Sequence, residues 1–209
     1  MIETRKSIIE RIKRLVYGEQ VSDDANITDN LVNQYLTDAI GIVAKTNYID
    51  SIKLDGVAYV NNAFYTTFKN IAITEDEPLV YKIALPSFPI GIGRNEGIAS
   101  LRFKDSDGHI SLDAIPLNIN QVSYSNSLPK APNKVYYYNI GDEIFVETPI
   151  DLYNYTAIIR MISGSDSESL SSVLNVPSEY LQQIIEYVSK LLMMSRQMPQ
   201  DDKNDGRDG

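Results

Sequence analysis

The chain contains no cysteine, no tryptophan and a single histidine, His109, among its 209 residues. Without cysteine it can form no disulfide, no thiolate nucleophile and no zinc site built on thiolates. With one histidine, the common nucleophilic and acid–base arrangements are nearly excluded as well. Hydrolysis by a pair of carboxylates stays open, although no pair stands out by its spacing. We therefore expect no enzyme, no catalytic residue, no cofactor and no metal.

Long apolar runs are missing too. The longest are far shorter than the ~20 residues that span a bilayer, and the N-terminus carries charges where a secretion signal is apolar. We expect a soluble, unprocessed protein without a membrane segment. The formal net charge of -9 argues against general adhesion to DNA, which depends on lysine and arginine at the phosphates, but it is compatible with DNA sliding past.

A first helix is predicted from an apolar stripe beside a basic face. Gly18 ends this helix, because glycine readily adopts the conformation that closes a helix. A basic face is typical of a helix that docks on an acidic partner or on nucleic acid, but we slightly favour a core helix with a solvated charged face. The stripe is Ile8, Ile9, Ile12, Leu15 and Val16, and the basic side chains are Arg5, Lys6, Arg11, Lys13 and Arg14.

A second helix is predicted from an N-cap at Thr28 or Asp29 to an exit at Asn47 and the Asp50–Ser51 pair. Further on, β-branched and aromatic runs bounded by turn residues predict about eight strands. They are residues 57–60, 63–68, 79–85, 99–103, 110–114, 135–138, 143–147 and 157–162, with hairpin turns at 105–108 and 139–142. We therefore predict an α+β protein, in which N-terminal helices and a long C-terminal helix pack with an antiparallel β-sandwich or open barrel.

We predict one structural domain with five regions. They are an N-terminal helical region 1–50, a Tyr-rich antiparallel β region 51–164, a Ser-rich linker 165–176, a C-terminal helix 177–198 and an acidic flexible docking tail 199–209. Two long loops, 86–97 and 118–133, interrupt the β region, and loops of this length often contact a partner. The C-terminal helix is apolar most of the way round, which is typical of burial between two surfaces of one chain or of neighbouring subunits.

Three short patterns resemble known sites only weakly. Gly91, Gly93 and Gly97 resemble a dinucleotide fingerprint, but the third glycine is one residue late and no helix follows. Residues 105–109 place two aspartates beside His109, which turn chemistry explains better than a metal site. Residues 201–206 resemble the start of a calcium loop but lack its closing glutamate.

The 14 tyrosines are the remaining signal, above all the run Tyr136, Tyr137 and Tyr138. Tyrosine combines a large apolar face with a polar tip, which suits protein interfaces and sugar platforms alike. Ordinary strand composition explains the run about equally well.

The layout of helix, helix, β region and terminal helix resembles the head-to-tail adaptor, or ring, proteins of tailed bacteriophages. It is most similar to the neck rings of podoviruses, including the crAss-like group. The specific part of the resemblance lies in roughly the last thirty residues. Its residues are Val176, Pro177, Ser178, Glu179 and Tyr180, then Gln197, Met198, Pro199, Gln200 and Asp201, then Asn204, Asp205 and Gly206.

The resemblance implies a structural protein of the virion neck, made in the host bacterial cytoplasm. Copies of the chain would form a ring, expected as a dodecamer, below the portal protein. The ring would join capsid to tail, contact the portal and neighbouring tail or ring proteins, and surround the passing genomic DNA without reading its sequence. Under this hypothesis we expect inter-subunit packing by Ile8, Ile12, Leu15, Ile184, Val188 and Leu191, and partner docking by Met198, Pro199, Asp201, Asp202 and Asp205.

Two other functions stay open. The first is a β-sandwich binding module, directed at carbohydrate, that uses Tyr136 to Tyr138 as its platform. The second is an enzyme of unrecognised type, for which the residues supply no positive sign.

Overall fold

The computed structural model describes residues 4–18, 27–87, 89–92, 97–118, 134–162 and 170–197. The chain divides into two compact units. The helical unit comprises residues 1–43 and 168–209, and the sheet unit comprises residues 44–167. The single domain that we predicted stays a prediction.

The described residues form three α-helices. They are α1 (Arg5–Tyr17), α2 (Asp29–Asp55) and α3 (Ser178–Gln197). Thr4 caps α1 by accepting a hydrogen bond from the Ser7 N–H at 3.3 Å, and Gly18 closes the helix with φ +70°. None of the helices in the described part of the chain combines the length and apolar character needed to cross a bilayer.

In the helical unit, α1 packs against α3 and buries one side of its apolar stripe. Ile8, Ile9, Ile12 and Val16 are buried, whereas Leu15 is 50% exposed, because it lies at the rim of the stripe. Arg5, at the start of α1, is also buried. Its guanidinium donates to Asn33 Oδ1 at 2.8 Å and to Thr37 Oγ1 at 3.3 Å, which satisfies a charge that burial would otherwise penalise.

The sheet unit contains a short 3-10 helix, Asn62–Phe64, and eight strands. The strands are β1 (Thr66–Ile71), β2 (Thr74–Glu77), β3 (Val80–Ala84), β4 (Ile98–Lys104), β5 (Ile110–Pro116), β6 (Val135–Ile140), β7 (Glu143–Glu147) and β8 (Thr156–Met161). They form one sheet in the order β1-β8-β4-β5-β6-β7-β3-β2, curled into a half-barrel. The α+β class is confirmed.

The sheet is mixed, so the predicted purely antiparallel arrangement is wrong at one place. Strands β5 and β6 pair in parallel, with Ala114 opposite Val135 and Pro116 opposite Tyr137. A parallel pair needs a crossover of about a dozen residues or more, and residues 117–134 supply it. The long loop that we predicted at 118–133 lies, apart from Asn118, outside the described residues.

Alternation along the strands builds the core of the sheet unit on one face of the sheet. The core side chains are Tyr81, Ile83, Ile98, Leu101, Phe103, Val135, Tyr137, Ile144, Val146, Leu152, Ala157, Ile159 and Met161. Every second residue of β6 and β7 faces the other way, and those residues form the candidate site described below.

Two predictions around the end of α2 are wrong. The helix continues past Asn47 and Ser51 to Asp55, and the predicted strand 57–60 is a connection without strand pairing. The polar side chains that suggested an exit instead fix this connection: Ser51 Oγ lies 2.8 Å from the Tyr59 carbonyl oxygen, and Asn47 Oδ1 accepts from the Asn61 N–H at 2.9 Å. Gly56, with φ +69°, follows the last helical residue.

Residues 63–68 were predicted as one strand, but only the part from Thr66 onward is strand. Strand β2 was not predicted at all. Its sequence is polar throughout, and all four of its residues are exposed, because it lies at the edge of the sheet and pairs only with β3. Its existence follows from the hairpin with β3 and not from an apolar pattern of its own.

Candidate functional site

The candidate site of the sheet unit is the face of β6, β7, β3 and β2 opposite the core. We call it the outer face and define it by Tyr136, Tyr138, Lys82, Asp76, Glu77, Glu143, Phe145 and Glu147. Backbone pairing places Tyr138, Phe145 and Lys82 in one row across three neighbouring strands. The rings of Tyr138 and Phe145 stack with centroids 5.4 Å apart and planes 7° from parallel.

Lys82 completes this row. Its Nζ lies 5.1 Å from the centroid of Phe145, a cation–π distance, and 2.9 Å from Asp76 Oδ1. Strand β7 lies between β6 and β3, so Tyr138 and Lys82 approach Phe145 from opposite sides. Both faces of the Phe145 ring are therefore occupied from within the chain.

Carboxylates dominate the charge of the outer face. Glu143 and the buried Glu147 flank Phe145 on β7, Glu77 lies opposite Val80, and Asp76 binds Lys82. Burial raises the pKa of the Tyr138 hydroxyl, and the negative charges of Glu147, Asp76 and Glu77 raise it further. The hydrogen bond to Asp76 raises the pKa of Lys82, and the charges of Asp76, Glu143 and Glu77 act in the same direction. These carboxylates therefore favour positive charge at the outer face.

This arrangement changes the sugar-platform hypothesis. Tyr137 is only 2% exposed and lies in the core, because the residue between two outward-facing strand residues points inward. The predicted platform therefore loses its middle ring, and Phe145 takes its place beside Tyr138. Since Tyr138 and Lys82 cover Phe145 on both sides, it has no free ring face for a sugar to stack on.

Tyr81 is a second tyrosine with a structural role. Its hydroxyl lies 3.2 Å from Asp151 Oδ1 and accepts from the Leu152 N–H at 3.1 Å, which holds the connection between β7 and β8 against the core. Tyr153, two residues after Asp151, is 86% exposed.

The helical unit presents a face of the opposite charge. Lys6, Arg11 and Arg14 are exposed on α1, within little more than two turns, with Glu10 among them. Arg11 donates to Gln182 Oε1 on α3 at 3.0 Å, and Lys13 forms an ion pair with Asp29. We call Lys6, Arg11 and Arg14 the basic face of α1.

Exposed apolar side chains are concentrated in two further stretches of the chain, at the end of α3 and at the end of α2. The α3 surface consists of Tyr187, Leu191, Met193 and Met194, of which Met194 is 61% exposed and Leu191 is half-buried. The α2-end surface consists of Ile49, Ile52, Leu54, Val57 and Tyr59, of which Leu54 is 83% exposed. Contiguous apolar exposure is typical of surfaces that bind another protein, so these two stretches are candidates for such binding.

The structure divides the residues that we predicted for inter-subunit packing. Ile8, Ile12, Ile184 and Val188 are fully buried inside the chain and offer no surface to a neighbour in this conformation. Leu15 and Leu191 have accessible surface. The helical period identified the apolar stripes correctly. The residues at the centre of each stripe pack within the chain, so only residues at its edge stay accessible to a partner.

The predicted docking residues Met198, Pro199, Asp201, Asp202 and Asp205 lie outside the described residues. The same holds for Gly93 of the glycine-rich pattern and for residues 201–206. At the hairpin of β4 and β5, Asp105 Oδ1 accepts from the His109 N–H at 2.8 Å, which is turn chemistry as expected. Across the described ranges, no three His, Cys, Asp or Glu side chains are grouped so that they could hold a metal ion.

Sequence reasoning missed Phe145, Lys82 and Asp76 as members of a site. Period-two alternation in residues 143–147 would have placed Glu143, Phe145 and Glu147 on one face. It could not have shown that this strand lies beside Tyr138, because strand order is not visible in the pattern of one strand. The chain matches no protein-family model and no curated protein.

Proposed function

We propose that this chain is a structural subunit of the head-to-tail connector of a tailed bacteriophage. Its copies form a ring below the portal protein that joins capsid to tail and surrounds the DNA passage. The resemblance of residues 176–180 and 197–206 to neck ring proteins, together with the order of elements, is the origin of this proposal.

The observation that carries the proposal is the presence of two separate exposed apolar surfaces, one in each unit. A closed ring needs a heterologous interface, in which one patch of a subunit meets a different patch of the next. The α3 surface and the α2-end surface supply two unlike patches with accessible apolar side chains. The net charge of -9 fits a subunit past which DNA moves without being held.

The direct test is quantitative mass spectrometry of purified particles of the phage that encodes the chain. We expect the chain in the particle at a whole-number ratio of one or two to the portal protein. Its absence from the particle would contradict the proposal and favour a binding module, which a glycan array would then examine.

A second experiment tests whether the two apolar surfaces are needed for incorporation into the phage particle. Phage lacking the gene would be supplied with Leu54→Asp or with Met194→Asp, and we expect either variant to fold but to be missing from particles. Tyr153→Asp is the matched control, since Tyr153 is as exposed as Leu54 but belongs to neither surface. Normal incorporation of both test variants would remove the two surfaces from the proposal.

A further inference from the structure

The outer face of the sheet already holds one cation. The ammonium of Lys82 lies over the ring of Phe145 and against the carboxylate of Asp76. Aromatic rings bordered by carboxylates attract ammonium and guanidinium groups by cation–π and charge interactions together. Lys82 therefore shows, within this chain, that the outer face can hold a cation.

One cation leaves the outer face strongly acidic. Asp76, Glu77 and Glu143 supply three accessible carboxylates beside the ammonium of Lys82, while Glu147 is buried. This charge repels nucleic-acid phosphates and acidic protein surfaces. The chemistry that matches it is a cationic protein surface with at least one arginine, since a guanidinium pairs with carboxylates through two parallel hydrogen bonds.

The chain itself carries such a surface in its other unit. Lys6, Arg11 and Arg14 are exposed on α1, with the half-exposed Leu15 beside them. The ion pair of Lys13 with Asp29 and the bond of Arg11 to Gln182 hold part of this helix face in a defined geometry. A rigid donor surface loses less conformational entropy on binding than a mobile one.

We infer that the basic face of α1 in one copy of this chain docks on the outer face of the sheet in a second copy. The inference rests on the proposed ring and deepens it by naming a charged contact between neighbours, in addition to the two apolar surfaces. Since the two faces differ, each copy binds one neighbour through its basic face and the other neighbour through its outer face. The same contact then repeats around a ring. Complementary charge also sets the register of such a contact and disfavours wrong pairings.

Reversal of charge on one face at a time tests the inference. The sheet variant carries Glu77→Lys and Glu143→Lys, and the helix variant carries Lys6→Glu and Arg14→Glu. In sedimentation velocity, we expect each variant alone to associate about a hundredfold more weakly than the unmodified chain, because like charges then face each other.

The mixture of the two variants gives the sharpest result. The reversed sheet of one variant matches the reversed helix of the other, and the two unmodified faces match as before. We therefore expect an equimolar mixture to recover the association that each variant lacks. Lys69→Glu on β1 and Asp107→Lys in the turn before β5 are the controls, because they change exposed charges outside both faces. Circular dichroism of every variant confirms that it folds.

Several results would overturn the inference. They are a monomeric unmodified chain, undiminished association of either variant alone, and a mixture that stays apart although both variants fold. The inference would also be overturned if the two control variants lost association to the same degree, because a nonspecific effect of any changed surface charge would then explain the result. None of these results touches the presence of the chain in phage particles, which decides the proposed ring separately.

Discussion

The two units of this chain each bury a charged residue but display surface charge of opposite sign. The helical unit encloses a charged side chain, Arg5, and satisfies it with the side chains of Asn33 and Thr37. The sheet unit also buries polar side chains at the end of β7, Glu147 and Thr148, next to an apolar cluster that includes Tyr81 and Tyr137. On their surfaces, α1 presents lysine and arginine, whereas the outer face of the sheet presents carboxylates around stacked rings.

This difference follows from the two periodicities. A helix places its apolar residues in one stripe and leaves a broad arc for charge, so basic side chains collect on one face of α1. A strand sends alternate residues to opposite faces, so one run such as Tyr136 to Tyr138 serves both core and surface. Opposite charge on two unlike units would suit the head-to-tail contact that we propose.

The largest expected change in stability comes from a substitution on the core face of the sheet, compared with the same substitution on the outer face. Phe103→Ala removes a fully buried ring from the core, and we expect the free energy of unfolding to fall by about 3–5 kcal/mol. Phe145→Ala removes the same side chain from the half-buried outer face, and about 1 kcal/mol is expected. Urea unfolding followed by circular dichroism measures both. Equal losses would mean that the outer face is part of a second core.

The stability of the protein at alkaline pH tests whether Tyr137 faces the core while Tyr136 and Tyr138 face outward. Burial raises the pKa of Tyr137 to about 12. The unfolded chain ionises first, so the stability that neutral Tyr137 contributes is present below pH ~10 and is lost between pH ~10 and ~12, by about 3 kcal/mol at most. We expect Tyr137→Phe to flatten this loss in unfolding measured from neutral to alkaline pH. Tyr153→Phe, at an exposed position, is the control, and an identical effect of both would refute the assignment.

The smallest effect concerns the buried charge of the helical unit. Arg5→Ala leaves Asn33 and Thr37 buried without this donor, and we expect a loss of about 2 kcal/mol in the free energy of unfolding. Glu10→Ala, on the exposed side of the same helix, is expected to stay within about 0.5 kcal/mol of the unmodified chain. If Arg5→Ala leaves the free energy of unfolding unchanged, the hydrogen bonds from Arg5 to Asn33 and Thr37 are not needed for stability.

Much of the fold was predictable from the sequence, and the failures have physical causes. Strand β7 has the bounds that its alternating apolar residues predicted, and α1 ends at Gly18 as expected. Strand β2 could not be predicted, because an exposed edge strand has no apolar period. The parallel pairing of β5 and β6 depends on a crossover, which no local pattern records.

The candidate site was predictable in part. Tyr136 and Tyr138 were identified from composition, but the inward position of Tyr137 follows only once the strand period is applied. The stacking of Phe145 and the position of Lys82 depend on strand order, which short-range sequence signals do not determine. The basic face of α1 was visible from the start, but its complement lies in residues distant in the chain.

The most direct test of the account is zero-length cross-linking between copies. Unlabelled chain and chain labelled with heavy nitrogen are mixed, assembled and treated with a carbodiimide, which couples a lysine amine to a carboxylate that it touches. We expect mass spectrometry to find Lys6 of one isotopic form joined to Glu77 or Glu143 of the other. Assembled material in which Lys6 is joined to neither residue of a second copy would contradict the account.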